Sequence, residues 1–204
     1  MKNIFKFTSL LLLVIITVSF SIAINPELSI GSAIPKADVK MMSVKGKEVT
    51  LNATKKEKGL LVLFSCNTCP YVKLYENRIN NAVALADKLG IGVILINSNE
   101  GQRNDEDSFE EMKKFALDKK ITCNYVVDKN SELANAFGAT RTPQCFLFDK
   151  AGLVYRGAID DNVKDETAAQ ANYLKDALED VASGKVVAVN STKSVGCGIK
   201  RVEE

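Results

Sequence analysis

The segment that most constrains this chain is the apolar run Gly59 to Ser65, which ends directly at Cys66-Asn67-Thr68-Cys69-Pro70. An unbroken apolar run of this length is typical of a β-strand buried on both faces. The proline that follows is compatible with the first turn of a helix, where its missing N–H would be unpaired anyway. At such a strand-to-helix junction, free N–H groups and the helix dipole favour a thiolate, the form that carries out disulfide exchange. The pattern predicts a redox-active dithiol at Cys66 and Cys69.

Two other uses of a Cys-x-x-Cys pair compete with this prediction. Zinc often takes cysteine pairs at this spacing, but the chain has no histidine and no second pair. Its other cysteines, Cys123, Cys145 and Cys197, stand far apart in the sequence. A permanent disulfide would close so short a loop that it would remove little chain entropy. The redox dithiol is therefore the favoured interpretation, and neither a metal nor another cofactor is expected.

The N-terminus indicates the compartment. Lysines precede the apolar stretch Leu10 to Phe20, and Ser21-Ile22-Ala23 supplies the small residues that a signal peptidase reads. This order is typical of a secretory signal, and the apolar stretch is short for a membrane span. The sequence predicts a signal peptide over residues 1–23 and a mature domain over residues 24–204. The dithiol would then work in the periplasm or outside the cell, where disulfides persist. An uncleaved membrane anchor is the alternative.

Charge and length limit the partners and the number of domains. Removal of residues 1–23 takes away Lys2 and Lys6, which lowers Lys+Arg from 27 to 25 and leaves 25 Asp+Glu. A neutral mature chain gives no indication of nucleic-acid binding, nor of stable membrane association after signal cleavage. The roughly 180 mature residues suit one domain with a sizeable core.

The remaining patterns alternate between strand and helix. A hairpin is predicted from Asp38 to Val44 and from Glu48 to Leu51. The other predicted strands are Ile91 to Asn97, Ile121 to Val127, Gln144 to Phe148 and Leu153 to Ile159. Helices are predicted from Val72 to Leu89, after a capping box at Ser108, from Asn130 to Phe137, and around Ala171 to Val181. The tail from Lys185 to Glu204 shows no clear periodicity of apolar residues, so neither a helix nor a strand is predicted there. This order predicts an α/β protein with a mixed central sheet flanked by helices on both faces.

Thr142-Pro143 opens the predicted strand Gln144 to Phe148. A proline entering a strand can adopt a cis peptide bond and leave unpaired backbone groups on which an extended peptide could dock. An ordinary loop proline is the alternative. Thr142 and Pro143 are therefore candidate substrate-binding residues.

Several stretches together resemble a known family. They are Cys66 to Val72, Ile96 to Asn99, Thr142-Pro143, Phe146 to Asp149, Tyr155 to Gly157 and Gly196 to Lys200. From about Ser29 to Lys200 the chain resembles the thioredoxin superfamily, specifically its bacterial peroxiredoxin-like branch, the alkyl hydroperoxide reductase/thiol-specific antioxidant group. The resemblance implies a thioredoxin-like fold and thiol–disulfide chemistry at Cys66 and Cys69. It also implies that Pro143 is a cis-proline facing these cysteines.

The chain departs from two patterns of these relatives. Peroxiredoxins read Pro-x-x-x-Thr-x-x-Cys, and alignment on Cys69 puts Val62 at the proline and Cys66 at the threonine. Because that threonine hydroxyl helps to orient peroxide, we expect a slow reaction with peroxide. Thioredoxins usually have tryptophan before the first cysteine and a carboxylate in the preceding strand. Here Ser65 replaces the tryptophan and the strand has no carboxylate, so a proton acceptor is absent or comes from elsewhere.

Which sulfur attacks stays open at this point. Comparison with thioredoxins makes Cys66 the expected attacker, whereas a helix with Thr68 as its N-cap and Cys69 at its first position would favour Cys69. Cys123 and Cys145 are interpreted as buried core thiols. Cys197, between two glycines in the tail, is a possible third thiol if a mobile loop brings it to the pair.

The predicted function is an exported thiol–disulfide oxidoreductase that exchanges disulfides with protein or small thiol substrates. An unidentified thiol would supply or accept the electrons. Two alternatives remain: a peroxiredoxin-like antioxidant peroxidase using Cys69, and a non-catalytic redoxin scaffold or redox sensor. The substrate, the direction of electron flow and the oligomeric state do not follow from the sequence.

Overall fold

A computed structural model describes residues 26–202, so the predicted signal peptide lies outside the described residues. The strands are β1 (Met41–Met42), β2 (Glu48–Val49), β3 (Gly59–Ser65), β4 (Ile91–Asn97), β5 (Asn124–Val127), β6 (Arg141–Thr142), β7 (Gln144–Phe148), β8 (Leu153–Gly157) and β9 (Cys197–Gly198). The helices are α1 (Leu51–Thr54), α2 (Pro70–Leu74), α3 (Glu76–Lys88), α4 (Phe109–Asp118), α5 (Glu132–Phe137) and α6 (Tyr173–Ala182).

The central sheet has five strands in the order β5-β4-β3-β7-β8. Strands β3, β4 and β5 run parallel, with helices in the crossovers, while β7 pairs antiparallel with both β3 and β8. This arrangement confirms the predicted mixed sheet and places β3 at its centre. The end of β3, where the cysteine pair begins, therefore lies in the middle of one edge of the sheet.

Alternating side chains of β3 pack into two separate cores. Leu61 and Leu63 pack with residues of α2, α3, α4 and α6, whereas Leu60, Val62 and Phe64 pack with residues of α1 and α5. All residues of β3 and β4 are buried, as their unbroken apolar sequences predict. Helices thus cover both faces of the sheet.

Several boundaries differ from the sequence prediction, and the expected hairpin is shorter, since its second strand ends at Val49 and Leu51 begins α1. The single helix expected from Val72 to Leu89 is wrong: it breaks into α2 and α3 at Tyr75, whose backbone has φ −90° and ψ 2°. This bend buries the Tyr75 ring and lets its hydroxyl donate to Asp160. Strand β5 starts three residues later than expected, because the N–H of Ile121 bonds back to α4 and ends that helix.

The tail forms structure that its sequence did not predict. Strand β9 pairs antiparallel with β6, and this register puts Cys197 opposite Thr142. The N–H of Ile199 donates to the Thr140 carbonyl at 3.1 Å, which continues the attachment beyond the strand. Within residues 26–202 no helix combines the length and apolar character needed to cross a membrane.

Candidate active site

The cysteine pair lies between the end of β3 and the start of α2. Cys69 is the N-cap of α2 and Pro70 occupies its first turn, where the missing N–H costs no hydrogen bond. The helix therefore begins one residue later than in the register with Thr68 as N-cap, and its N-terminus lies nearer to Cys69 than to Cys66, the cysteine expected to attack. Both cysteines carry free thiols, and their side chains are almost completely buried, with 1% of Cys66 and 2% of Cys69 exposed.

Thr142 lies against both sulfurs. Its hydroxyl Oγ1 is 3.4 Å from Cys66 Sγ, and its carbonyl oxygen is 3.1 Å from Cys69 Sγ. The Thr142–Pro143 peptide bond is cis, as the sequence suggested. The structure thus brings the predicted residues Cys66, Cys69 and Thr142–Pro143 together. One expectation needs correction: the backbone of Thr142 is not open to a substrate strand here, because β9 pairs with it.

The two sulfurs differ in their acidity. The pKa of Cys69 is lowered chiefly by its interaction with the Cys66 thiol, with smaller contributions from Cys197 and from the Val72 backbone in the first turn of α2. Burial opposes this shift. The pKa of Cys66 is raised because its proton is held in the bond to Cys69 and because the thiol is buried. Cys69 is therefore the thiolate of the pair, and Cys66 holds the proton.

The Thr142 carbonyl acts in the opposite direction on Cys69. A carbonyl oxygen accepts a hydrogen bond only from the protonated thiol and repels a thiolate. Cys66 and, to a smaller extent, Cys197 and Val72 lower the pKa of the same sulfur. Because interactions with a charged group are stronger than those between neutral groups, these influences outweigh the single carbonyl.

The loop between the cysteines is held by a carboxylate that the sequence analysis missed. Asp107 is completely buried. Its Oδ1 accepts hydrogen bonds from the Asn67 N–H at 2.8 Å and the Asn97 amide at 2.7 Å, and its Oδ2 accepts from the Asn99 amide at 2.8 Å. The negative charge of Asp107 also raises the pKa of Cys66. The carboxylate missing from β3 is thus supplied by a residue far along the chain. Its only indication in the sequence was its place at the end of the polar loop Ser98 to Asp107.

The Asn67 side chain is fixed at both ends. Its Oδ1 accepts from the Tyr125 hydroxyl at 2.9 Å, and its Nδ2 donates to the Glu106 carbonyl at 2.9 Å. Burial raises the pKa of Tyr125, so this hydroxyl keeps its proton and acts as a donor. Side chains from β5 and from the loop before α4 therefore set the geometry of the cysteine pair.

The family can now be assigned. The profile of the AhpC/TSA family matches residues 30–156. The chain belongs to the AhpC/TSA family. It is 26% identical over 152 residues to the thiol-disulfide oxidoreductase ResA of Geobacillus thermodenitrificans strain NG80-2, a match that covers 72% of this chain and 82% of that protein.

Solved structures show the fold of this AhpC/TSA protein. A hypothetical protein from Sinorhizobium meliloti 1021 superposes with a TM-score of 0.78 at 29% identity, covering 88% of this chain and 98% of that one. A thioredoxin-like protein in its oxidised form superposes with a TM-score of 0.58 at 20% identity, covering 75% and 96%. The thioredoxin-like fold is therefore confirmed, and the chain is a redoxin similar to thiol–disulfide oxidoreductases.

The other cysteines of this AhpC/TSA protein separate into two groups. Burial raises the pKa of Cys145, and it raises that of Cys123 to about 12, so both stay protonated at neutral pH. Cys197 is partly exposed, and it differs in that its pKa is raised to about 11 by partial burial and also by the neighbouring Cys69. No mobile loop is needed to bring it there, because β9 holds it in place. Over residues 26–202 no cluster of three or more histidine, cysteine or acidic side chains is arranged to hold a metal ion.

Proposed function

We propose that this protein is an exported thiol–disulfide oxidoreductase that works through Cys66 and Cys69. The observation that carries the proposal is that both buried sulfurs lie against Thr142 at the start of α2, where the pKa of Cys69 is lowered and that of Cys66 is raised. An ionised sulfur beside a second thiol is the arrangement that disulfide exchange requires. The similarity to a protein named thiol-disulfide oxidoreductase supports the same reaction.

The exchange transfers two electrons between the cysteine pair and a substrate. In the reducing direction the pair forms a Cys66–Cys69 disulfide, and the substrate disulfide becomes two thiols. An external thiol then reduces the pair for the next cycle. Asn67 is anchored to Asp107, which holds the loop between the two sulfurs.

The first test is reduction of insulin disulfides by dithiothreitol. We expect the wild-type protein to accelerate this reaction, and Cys66→Ser or Cys69→Ser to return it to the uncatalysed rate. Cys123→Ala is the matched control, because it removes a thiol that stays protonated, and it should behave like the wild type. A wild-type rate equal to that of either active-site variant would instead favour a non-catalytic scaffold or sensor.

The same preparations distinguish the oxidoreductase from an antioxidant peroxidase that uses Cys69. At the position of the peroxide-orienting threonine the chain has Cys66, and a thiol is a weak hydrogen-bond donor. Stopped-flow mixing of the reduced protein with hydrogen peroxide should therefore give a rate near that of an ordinary thiolate. A rate orders of magnitude higher would instead favour a peroxidase that uses Cys69.

Export is part of the proposal, because residues 1–23 have the order of charged, apolar and small residues of a secretory signal. Expression of the full chain in a bacterium, followed by fractionation, should give a periplasmic or secreted protein. Its intact mass should correspond to a chain that starts at Ile24. Recovery of the full-length chain in the membrane would identify an uncleaved anchor instead.

A further inference from the structure

Access to the cysteine pair is restricted. Only 1% of Cys66 and 2% of Cys69 is exposed, so a folded substrate protein cannot bring a disulfide into contact with either sulfur in this structure. The strand edge at Thr142 beside them is paired with β9. Cys197, the residue of β9 that faces Thr142, is partly exposed. It is thus the most accessible sulfur of the site.

Cys197 is also held close to the pair. It lies opposite Thr142 in the β6–β9 ladder, and the Thr142 carbonyl oxygen is 3.1 Å from Cys69 Sγ. Cys197 and Cys69 also lie near enough to influence each other's pKa. The segment after Cys197 is tied down, since the N–H of Lys200 donates to Asn99 Oδ1 at 2.9 Å and its carbonyl accepts from the Gly101 N–H at 2.8 Å.

We propose that Cys197 is the thiol that reacts with the substrate disulfide and relays electrons to it from the buried Cys66–Cys69 pair. This inference rests on the proposed function and adds the entry point for the substrate. The substrate class is a protein disulfide that can approach the surface but cannot enter the site.

The relay consists of three exchanges. First, Cys197 attacks the substrate disulfide and its proton passes to the departing substrate sulfur; a Cys197–substrate disulfide forms and one substrate thiol leaves. Second, the Cys69 thiolate attacks the Cys197 sulfur, which forms a Cys69–Cys197 disulfide and releases the second substrate sulfur. Third, Cys66 attacks Cys69, which forms the Cys66–Cys69 disulfide, and its proton goes to a released sulfur. Two electrons pass from the pair to the substrate, and Cys197 ends in its reduced form.

The glycines on either side of Cys197 provide a test that leaves all thiols in place. A Cβ built on Gly196 would lie 2.2 Å from the Thr142 carbonyl oxygen, so Gly196→Ala must push β9 away from β6. A Cβ on Gly198 meets nothing within 4 Å, which makes Gly198→Ala the matched control. The assay is the rate at which each fully reduced protein reduces insulin disulfides in a single turnover, without dithiothreitol.

We expect Cys197→Ser to slow this reaction by about tenfold or more, because the remaining sulfurs are inaccessible, and Gly196→Ala to slow it as much, because Cys197 no longer lies beside Cys69; Gly198→Ala should match the wild type. If β9 only covers the site, Cys197→Ser will react as fast as the wild type or faster, and the relay is wrong. If the wild type itself neither reduces insulin nor acquires a Cys66–Cys69 disulfide, it is the proposed function that fails.

A trapping experiment identifies the path independently. In Cys66→Ser the relay stops after the second exchange, so oxidised glutathione should leave an intramolecular Cys69–Cys197 disulfide without bound glutathione. Intact mass and peptide mapping distinguish this product from a glutathione adduct. In Cys69→Ser the adduct should remain on Cys197. A stable adduct on Cys69 in the first variant, on Cys66 in the second, or no reaction in either, would overturn the relay.

Discussion

Replacing Cys66 by Ala is expected to raise the pKa of Cys69 by more than about one unit, which corresponds to roughly 1.4 kcal/mol of lost thiolate stabilisation. The reason is that the S–H of Cys66 is the largest influence that lowers the pKa of Cys69. Burial, which raises the pKa of Cys69, would then be less strongly opposed. The measurement is the ultraviolet absorbance of the thiolate as a function of pH in the fully reduced protein.

The sign of the pH dependence follows from the lowered pKa. In the wild type Cys69 stays ionised as the pH falls from about 8 to 6, so its alkylation by iodoacetamide should change little over this range. In Cys66→Ala the thiolate is protonated at a higher pH than in the wild type, so the fall in alkylation rate should begin at a correspondingly higher pH. Cys66→Ser keeps a hydroxyl donor and should lie between the two. Identical titration curves for the wild type and Cys66→Ala would show that the sulfur contact does not set the acidity of Cys69.

Replacing Asp107 by Asn is expected to lower the free energy of unfolding of the reduced protein by about 2–4 kcal/mol. Asp107 accepts hydrogen bonds from the backbone of Asn67 and the side-chain amides of Asn97 and Asn99. An asparagine side chain has the same shape as aspartate, but an NH2 group replaces one of the two carboxylate oxygens. This NH2 group would face the N–H donors of Asn67, Asn97 or Asn99 and could not accept from them. Denaturation by urea, followed by circular dichroism, measures the loss.

Asp105→Asn is the matched control, because it makes the same chemical change two residues away on an exposed side chain. It should alter the free energy of unfolding by no more than about 0.5 kcal/mol. Loss of the Asp107 charge should also lower the pKa of Cys66, since that charge raises it in the wild type. Equal stability of the two variants would contradict a role of Asp107 in holding the loop between the cysteines.

Much of the fold could be predicted because the relevant information is local. The apolar runs of β3 and β4 have in the structure the bounds that the sequence indicates, and Ser108 caps α4 through a bond from the Glu111 N–H. The predicted ends of helices and strands are wrong where a tertiary contact overrides the local sequence pattern. Tyr75 continues the apolar stripe of a helix, yet its contact with Asp160 accompanies a bend that separates α2 from α3.

Long-range pairing of polar groups could not be predicted from the same patterns. Arg78 is only 6% exposed and forms an ion pair with Asp160 at 2.5 Å, although nothing in the sequence separates it from a surface arginine. Asp107 reaches the loop between the cysteines from a stretch that has the composition of an ordinary polar loop. Hydrophobic periodicity reports which face of an element is buried but not which polar side chains meet across the fold.

The sequence by itself determined the α/β class, the strand-to-helix junction at Cys66 and Cys69, and the resemblance to the family, because each depends on residues close together in the chain. Only the tertiary structure decided which cysteine is the thiolate, which carboxylate holds their loop, and where Cys197 lies. These depend on the start of α2 at Pro70 and on the pairing of β9 with β6, which joins segments more than 50 residues apart. Contacts at such separation arise from how the whole chain packs, and the order of residues within either segment does not reveal them.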